Sequence, residues 1–397
     1  MTKRAASGPK SAPRRVAVFL ALDTEHGRGV LRGIAKFFRE RPEVTVLKFS
    51  DPRAYDARAL QRLKPDGLIA RVATRRNETV LAALGRPVVN VSGQIETPRF
   101  PLINTDDLRV GRLALRHFHG RGYRHFAYCG NATHLGSVRR RRGFCAEARA
   151  LGVREAVPWH SLPHGDQNAP YPDASRARLA AWLTGLPRPI GILGFTDRVA
   201  LEIEEGCARV GLRVPEDVAI LGVGNDLARV EFAHVALSSI QLNTQQIGAL
   251  AAQTLMHMMQ GGRVRRTETL VGPQKIVTRS STDRLAVDDE VVAQALDYMR
   301  EHVGNTIYVQ EVARAAGVTR RVLELRFRAV LGSSVYAEAQ RLHFDRALEL
   351  MADPTMTIGE IAYGVGFENP AVFSTAFRSR FGTSPSSYRR DIAAFPG

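Results

Sequence analysis

The chain has 397 residues, 44% hydrophobic and 24% charged, an ordinary globular composition with room for two or three domains. Its formal net charge is +17, and no apolar run approaches the ~20 residues that a membrane-spanning helix needs. Three cysteines, Cys129, Cys145 and Cys207, are odd in number and widely spaced, which argues against a disulfide framework or a structural metal and for buried free thiols.

Residues 1–14 are basic, with Lys3, Arg4, Lys10 and Arg14, and hold Pro9 and Pro13. They read as a disordered tail. They lack the apolar stretch of a signal peptide, so a cytoplasmic protein without membrane contact is expected. From there β-rich apolar runs alternate with amphipathic helical segments. Strands are predicted at 16–22, 44–49, 67–70, 87–92, 125–129, 191–194 and 218–223. Helices are predicted at 29–39, 56–63, 109–119, 139–151, 176–183 and 198–210. This alternation implies parallel sheets covered by helices. In such folds ligands bind beyond the carboxyl ends of the strands. Those ends carry Asp23 and Thr24, Ser92, Thr196 and Asp197, and Asn225 and Asp226. A polar segment, 278–288, closes the pattern, and a linker is placed at 284–290.

The remainder is helical and contains one unit twice. The first copy reads Val312-Ala313-Arg314-Ala315-Ala316-Gly317-Val318, followed by Leu323 and Phe327. The second reads Ile361-Ala362-Tyr363-Gly364-Val365-Gly366-Phe367, followed by Phe373 and Phe377. The turn glycines, Gly317 and Gly366, lie 49 positions apart. A short helix, a glycine turn and a second helix with core residues four apart make a helix-turn-helix. Two in tandem predict a reader of two successive stretches of DNA groove.

Residues 286–397 hold twelve arginines and no lysine against fourteen Asp and Glu, a net charge of −2. The basic excess therefore precedes the helical region. Arg320, Arg321, Arg326 and Arg328 nevertheless cluster on one second helix, and Arg378, Arg380, Arg389 and Arg390 near the other. Phosphate contacts depend on such local placement.

Enzyme chemistry is not expected. There is no phosphate-cradling glycine loop, no G-x-S-x-G and no metal-spaced His/Cys cluster, so neither a metal nor a cofactor is predicted. His117, His119 and His125 are close in sequence, but 117 and 119 point to different sides of a helix and read as helix end and turn.

From Leu102 to Ala127 the chain runs LINTDDLRVGRLALRHFHGRGYRHFA. Together with Arg140-Arg141-Arg142-Gly143-Phe144, Phe195-Thr196-Asp197, Val214-Pro215-Glu216-Asp217-Val218, Leu237-Ser238-Ser239-Ile240 and Arg279-Ser280-Ser281-Thr282, this order resembles the sensor domains of LacI-type repressors. The resemblance spans roughly 15–282, without that family's N-terminal DNA-binding headpiece. It implies an α/β, two-lobed, periplasmic-binding-protein-like (type I) domain at 15–283 with a ligand cleft between lobes. Asp106 and Arg140 match family ligand contacts. Asp106 also reads as the N-cap of the following helix, and Arg140 as one of four consecutive solvated arginines. Thr196 and Asp197 either reach the cleft or cap the helix at Arg198. Asn225, Asp226 and Asp23 complete the ligand-binding set, with Asp23 and His26 also readable as ordinary loop residues. Many sugar-binding members carry an Asp where this chain has Gly224.

The last part, 291–391, resembles the AraC/XylS-type DNA-binding domain, an all-α domain with two helix-turn-helix motifs. Asp353-Pro354 and the run from Gly364 through Pro385 to Arg389 carry that likeness. Arg320, Arg321, Glu324, Leu325 and Arg328 take groove-facing positions in the first unit. In the second, Pro370, Ala371, Val372, Ser374 and Thr375 do so, short side chains expected to touch thymine methyls, with Arg378 and Ser374 positioning the backbone. Arginine forks onto guanine and glutamate accepts from cytosine, each worth roughly 1–3 kcal/mol of discrimination. The first unit is therefore expected to carry most base readout.

The arrangement is similar to that of xylose-responsive activators. It implies a homodimeric transcription activator whose partners are double-stranded promoter DNA, RNA polymerase and a small effector such as a pentose or related polyol. A regulator answering a non-sugar molecule, or a solute-binding or enzymatic domain, is the alternative.

Overall fold

The computed structural model describes residues 14–50, 55–153, 157–163, 169–264, 267–283, 289–331, 333–351 and 356–394. Most of the basic tail, residues 284–288 of the expected linker, and Asp353-Pro354 lie outside the described residues. The chain divides into two compact units, Met1–Arg284 and Leu285–Gly397.

The first unit is two lobes. Lobe one begins with β1 (Arg14–Leu20), α1 (Glu25–Phe38), β2 (Val44–Ser50), α2 (Ala57–Leu63), β3 (Gly67–Ala70), α3 (Arg75–Ala82), β4 (Val88–Asn90) and β5 (Leu102–Thr105). The chain then crosses to lobe two for α4 (Asp107–Gly120), β6 (His125–Gly130), α5 (Leu135–Ala150), β7 (Trp159–Ser161), α6 (Asp173–Thr184), β8 (Ile190–Gly194), α7 (Asp197–Arg209), β9 (Val218–Val223), α8 (Leu227–Val230) and β10 (Ser238–Gln241). It returns to lobe one for α9 (Thr244–Met259) and β11 (Glu268–Val271), and crosses a third time to β12 (Lys275–Val277) and a 3₁₀ turn, Ser280–Thr282. The two sheets have the orders β11-β5-β4-β3-β1-β2 and β12-β10-β9-β8-β6-β7. All pairings are parallel except β10 with β12.

The expected fold class is the one observed, and its cores follow from the strand patterns. Strands buried on both faces read as continuous apolar runs. Val16, Val18 and Leu20 face one layer with α1 and α9, while Ala17 and Phe19 face the other. In lobe two, β8 and β9 send Ile190, Ile192, Val218 and Ile220 to one core. Tyr123, Phe126 and Tyr128 pack around the Phe118–Phe144 pair on the α4–α5 side, mostly edge to face.

Boundaries move where caps outweigh periodicity. The first strand stops at Leu20, because Thr24 turns the chain and its hydroxyl accepts from the Gly27 amide at 3.1 Å. α1 therefore starts four residues before the predicted 29, despite Gly27 and Gly29. α5 starts at 135, capped by His134, instead of 139.

The second unit holds α10 (Glu290–Glu301), α11 (Val309–Ala315), α12 (Arg320–Leu331), α13 (Val335–Leu350), α14 (Ile358–Gly364), α15 (Pro370–Phe381) and α16 (Pro385–Ala394). Residues 289 and 290, assigned to the linker, instead open α10: Asp289 is its N-cap. The two helix-turn-helix pairs, α11–α12 and α14–α15, have separate cores. Leu323 and Phe327 lie in the first, Phe373 and Phe377 in the second. α13 serves both, giving Val335, Ala339 and Leu342 to the first and Phe344 and Ala347 to the second.

Candidate functional site

In lobe one the strand order reverses at β1 and β3, and in lobe two at β6 and β8. Such switch points open a crevice at the carboxyl ends of the strands. The two crevices face each other and form one cleft of about 960 Å³. Lobe one lines it with Asp23, His26, Arg71, Asn77 and Asn104. Lobe two contributes Asp107, Asn131, Arg140, Phe195, Asp197 and Asp226.

The centre of the lobe-two wall is an ion pair set by helix packing. α4 and α5 cross closely because Gly111 and Gly143 present no side chain. A Cβ on Gly111 would sit 2.0 Å from the Arg140 carbonyl oxygen, and one on Gly143 2.1 Å from that of Leu108. That crossing lays Arg140 over Asp107. Nε and Nη2 donate to Asp107 Oδ1 at 3.1 and 2.5 Å, and Nη1 donates to the Phe195 carbonyl. The guanidinium also lies 4.7 Å from the Phe195 ring centroid, a cation–π contact. Both charges are buried, at 5% and 7% exposure. Burial pushes the Asp107 carboxyl up, and Arg140 pulls against that shift. Arg140 is thus not one of four equivalent solvated arginines.

Asp106 is the residue that the family resemblance assigns to the ligand. It is the N-cap of α4, accepting from the Arg109 amide at 3.0 Å, and it does not line the cleft; its neighbour Asp107 does. Two adjacent aspartates at a helix start give the sequence no means of telling cap from lining residue. Asn225 is also redirected. It adopts φ 51° and accepts from Arg279 at 2.9 Å, outside the cleft lining. Asp23 is exposed at the cleft. Thr196 both caps α7, accepting from Val199 at 3.4 Å, and lines the cleft.

Asp197 lines the cleft but is almost fully buried. Its Oδ1 accepts from Ser239 Oγ at 2.5 Å and its Oδ2 from the Asp226 amide at 2.8 Å. Burial raises its pKa to about 6. Gly224 sits against this carboxylate: its φ is +130°, and a Cβ there would lie 3.1 Å from Asp197 Oδ2. Glycine is therefore a backbone requirement at 224. Asp226 pairs across the cleft with Arg28 at 3.0 Å and with its neighbour Arg229 at 3.4 Å.

Sequence reasoning underrates His26 and His117. His26 lines the cleft, and enclosure there, with Arg71 and Arg140 nearby, lowers its pKa to about 4. His117 is buried at the far end of α4. Its Nε2 lies 2.8 Å from Thr282 Oγ1, which donates to Ser238 Oγ at 2.8 Å. Arg121 Nη1 lies 3.0 Å from His117 Nδ1, and its Nε donates to the Thr282 carbonyl at 2.8 Å. Burial, then Arg121, holds His117 well below the usual histidine range, so it is a neutral ring with the proton on Nε2. The i, i+4 spacing of His117 and Arg121 is visible in the chain; their shared partner Thr282, 161 or more residues away, is not.

The second unit presents two helices of equal length. α12 turns Leu323 and Phe327 inward and leaves Arg321, Leu325 and Arg328 on the opposite face; Leu325 is 60% exposed. Arg320 is exposed at the helix start, and Glu324 is half-buried beside the core stripe. Arg326 instead pairs with Asp289, the α10 cap, at 2.9 Å. α15 exposes Ala371, Val372, Thr375 and Arg378, with Ser374 half-buried. Thr319 caps α12 through the Val322 amide, and Asn369 caps α15 through that of Ala371 at 2.7 Å. The repeat is 49 residues between α11 and α14 but 50 between α12 and α15, so the second turn is one residue longer. Arg328 and Arg378 are then equivalent positions.

Cys129 and Cys207 are buried free thiols, and Cys145 is half-buried. Among the described residues no helix is long and apolar enough to cross a membrane, and no group of three or more ligating side chains is placed to hold a metal ion.

Residues 115–282 match the family model of the periplasmic binding protein-like domain, and 312–391 that of a helix-turn-helix domain. The Xylose operon regulatory protein of Escherichia coli (strain K12) is 28% identical over 389 residues, 94% of this chain and 96% of that one. Its namesake from Haemophilus influenzae is 25% identical, over 94% and 98%. The solved structure of a xylose-binding transcription activator superposes with a TM-score of 0.67 at 25% identity, covering 95% and 98%. A cleft domain followed by a double helix-turn-helix defines a DNA-binding transcription regulator. The chain thus carries a periplasmic binding protein-like domain followed by a helix-turn-helix domain, and over nearly its whole length it is similar to the xylose operon regulatory proteins.

Proposed function

We propose that the chain is a ligand-responsive transcription activator that binds a neutral, sugar-like effector between its lobes and reads promoter DNA with α12 and α15. The cleft at facing switch points carries this reading. Its charged lining is nearly balanced, Asp23, Glu25, Asp107, Asp197 and Asp226 against Arg71, Arg140, Arg198 and Arg229. An anion would meet no surplus of positive charge there, whereas hydroxyl groups find both donors and acceptors. The names of the two xylose operon regulatory proteins favour carbohydrate control, and the solved relative, a xylose-binding transcription activator, favours activation. Binding shifts the lobe equilibrium only as far as its differential affinity for the two states. In a homodimer on adjacent half-sites, that shift sets the presentation of the two readers to DNA and to RNA polymerase. Site residues in this reading are Asp107, Arg140, Asp226 and Asp23 for the effector, and Arg321, Leu325, Arg328 and Arg378 for DNA.

The test is fluorescence anisotropy of the full chain on its own upstream DNA, with and without a panel of neutral sugars and polyols. Sequence-specific binding whose affinity changes with one of them is expected. Binding indifferent to the whole panel would remove the sensing half of the proposal, and no specific binding at all would remove the rest.

A further inference from the structure

We propose that the sensor itself holds DNA: the outer face of α4 and α5 binds the phosphate backbone of the duplex that flanks the bases read by α12 and α15. This rests on reading the chain as a DNA-binding regulator and goes beyond it. The first observation is an imbalance. The chain carries +17 while residues 286–397 carry −2, so residues 1–285 hold the difference, +19. Affinity for DNA draws heavily on cations that displace counterions from phosphates. Most such cations in this chain lie outside the helix-turn-helix unit.

The second observation is where they stand. Phe118 of α4 and Phe144 of α5 pack toward β6 and its Phe126 and Tyr128, so the opposite sides of both helices meet solvent. Every exposed charged side chain there is an arginine: Arg109, Arg112 and Arg116 on α4, Arg142 and Arg149 on α5. The two helices have only two carboxylates, and both are buried and taken. Asp107 lies under Arg140, and Glu147 accepts from Arg116 at 2.6 Å. Among the described residues Arg109, Arg112, Arg142 and Arg149 have no carboxylate within ion-pair distance. On the other side of the same sheet α6 and α7 expose Asp173 and Glu205 beside Arg178 and Arg209, the mixed pattern of an ordinary solvated surface.

Like charges three and four apart on one helix destabilise it, and a polyanion laid along Arg109, Arg112 and Arg116 would offset that cost. Seven residues of helix rise ~10 Å, and packed helices lie about 8–10 Å apart. The five guanidiniums thus cover a patch on the order of 10 Å by 10 Å, enough for several phosphates at one charge per ~1.7 Å of duplex. A second copy of the chain suits the patch poorly, because a two-fold contact would lay the same arginines against each other.

The third observation is the tether. The far end of α4 adjoins the point where the chain leaves the sensor, since His117 and Arg121 both bond to Thr282. Seven residues then lead to Asp289, the cap of α10, a reach of at most about 25 Å. That is less than one helical turn of DNA, about 34 Å.

The test is DNA binding by the full chain, measured against salt on nested duplexes cut from its upstream region, each keeping the bases that an operator scan finds to discriminate. Three variants accompany the wild type: Arg109→Gln/Arg112→Gln/Arg142→Gln/Arg149→Gln, the same four positions changed to Lys, and Arg58→Gln/Arg62→Gln/Lys64→Gln/Arg178→Gln, which removes equal charge elsewhere on the sensor. Each phosphate contact contributes about 0.9 to the slope of log affinity against log salt. On duplexes with flanks the first variant is expected to lose at least about two units of slope and roughly ten-fold in affinity at physiological salt. The Lys variant should keep both, and the elsewhere-neutralised variant should lose less than about one unit. On the shortest duplex all four proteins should bind alike. Equal losses in the two Gln variants would mean that net charge alone acts, and would overturn the inference. So would a first variant that matches the wild type on every duplex, which would leave the arginine face to an acidic protein. A wild type without sequence-specific binding to any duplex would remove the DNA-binding reading itself, and this inference with it.

Discussion

Arg140 Nη2 lies 2.5 Å from Asp107 Oδ1, joining α5 to the first residue of α4 on the wall of the cleft. Removing one member of a buried pair leaves the other charge uncompensated, typically costing about 3–5 kcal/mol. Asp107→Asn should therefore destabilise the sensor by about that much, read by urea melts, and weaken effector binding. A melt equal to that of the wild type would show that water, not Asp107, solvates the guanidinium.

His26 predicts a pH dependence. Its pKa is depressed to about 4 in the folded chain against 6.5 unfolded. Its contribution to stability is therefore present above pH 6.5 and lost as pH falls toward 4. Asp197 runs the other way: raised to about 6, it contributes below pH ~4 and loses that contribution as pH rises through 6. His26→Gln should gain on wild type in thermal melts progressively from pH 6.5 to 4. A constant difference across that range would refute the assignment.

Thr282 ties the end of the sensor to α4, whose other end carries Asp107. Thr282→Val keeps the shape but leaves His117 Nε2 unpaired, at a cost of about 1–3 kcal/mol. We predict that effector affinity of the free protein changes little while the effector's influence on DNA affinity shrinks. Coupling between the two sites is reciprocal, so it should also shrink when measured as the effect of DNA on effector binding. Undiminished coupling in either direction counts against α4 as the connection.

The two turn glycines should differ in tolerance. Gly317 has φ +67° with open space around its missing Cβ, while Gly366 has φ +75° and a Cβ would lie 2.2 Å from the Asn305 carbonyl oxygen. Gly317→Ala is expected to cost about 1 kcal/mol, the ordinary strain of a left-handed backbone. Gly366→Ala should cost clearly more and disturb the Thr306 hydroxyl donation to the Gly366 carbonyl, 2.9 Å. Equal melting temperatures would contradict the contrast.

Base readout should be unequal between the two units. Arg321→Ala should cost roughly 1–3 kcal/mol and relax selectivity at one position of the first half-site. Arg378→Ala should weaken binding across sequences and flatten the salt dependence by about one unit of slope. An operator scan in which the second half-site discriminates more strongly would reverse the assignment.

How much of this is legible in the chain depends on range. Alternating apolar runs disclose both sheets, and the spacing of Leu323 with Phe327 and Phe373 with Phe377 discloses both helical cores. The strands β5, β10, β11 and β12 are short and carry no periodicity of their own, so the pattern passes over them. Asp106 and Asp107 cannot be told apart locally, because a cap and a cleft carboxylate look alike in a D-D pair; only the Gly111–Gly143 crossing separates them. Asn225 escapes sequence reasoning because its partner Arg279 lies 54 residues on, a contact that is not written locally.

α13 lends one end to each reader core. The two copies are consequently not interchangeable parts, despite their shared pattern. Neither can be excised, grafted onto another sensor or spared by a protease without stripping the other of a wall, so the duplicated reader should melt, and be inherited, as a single piece.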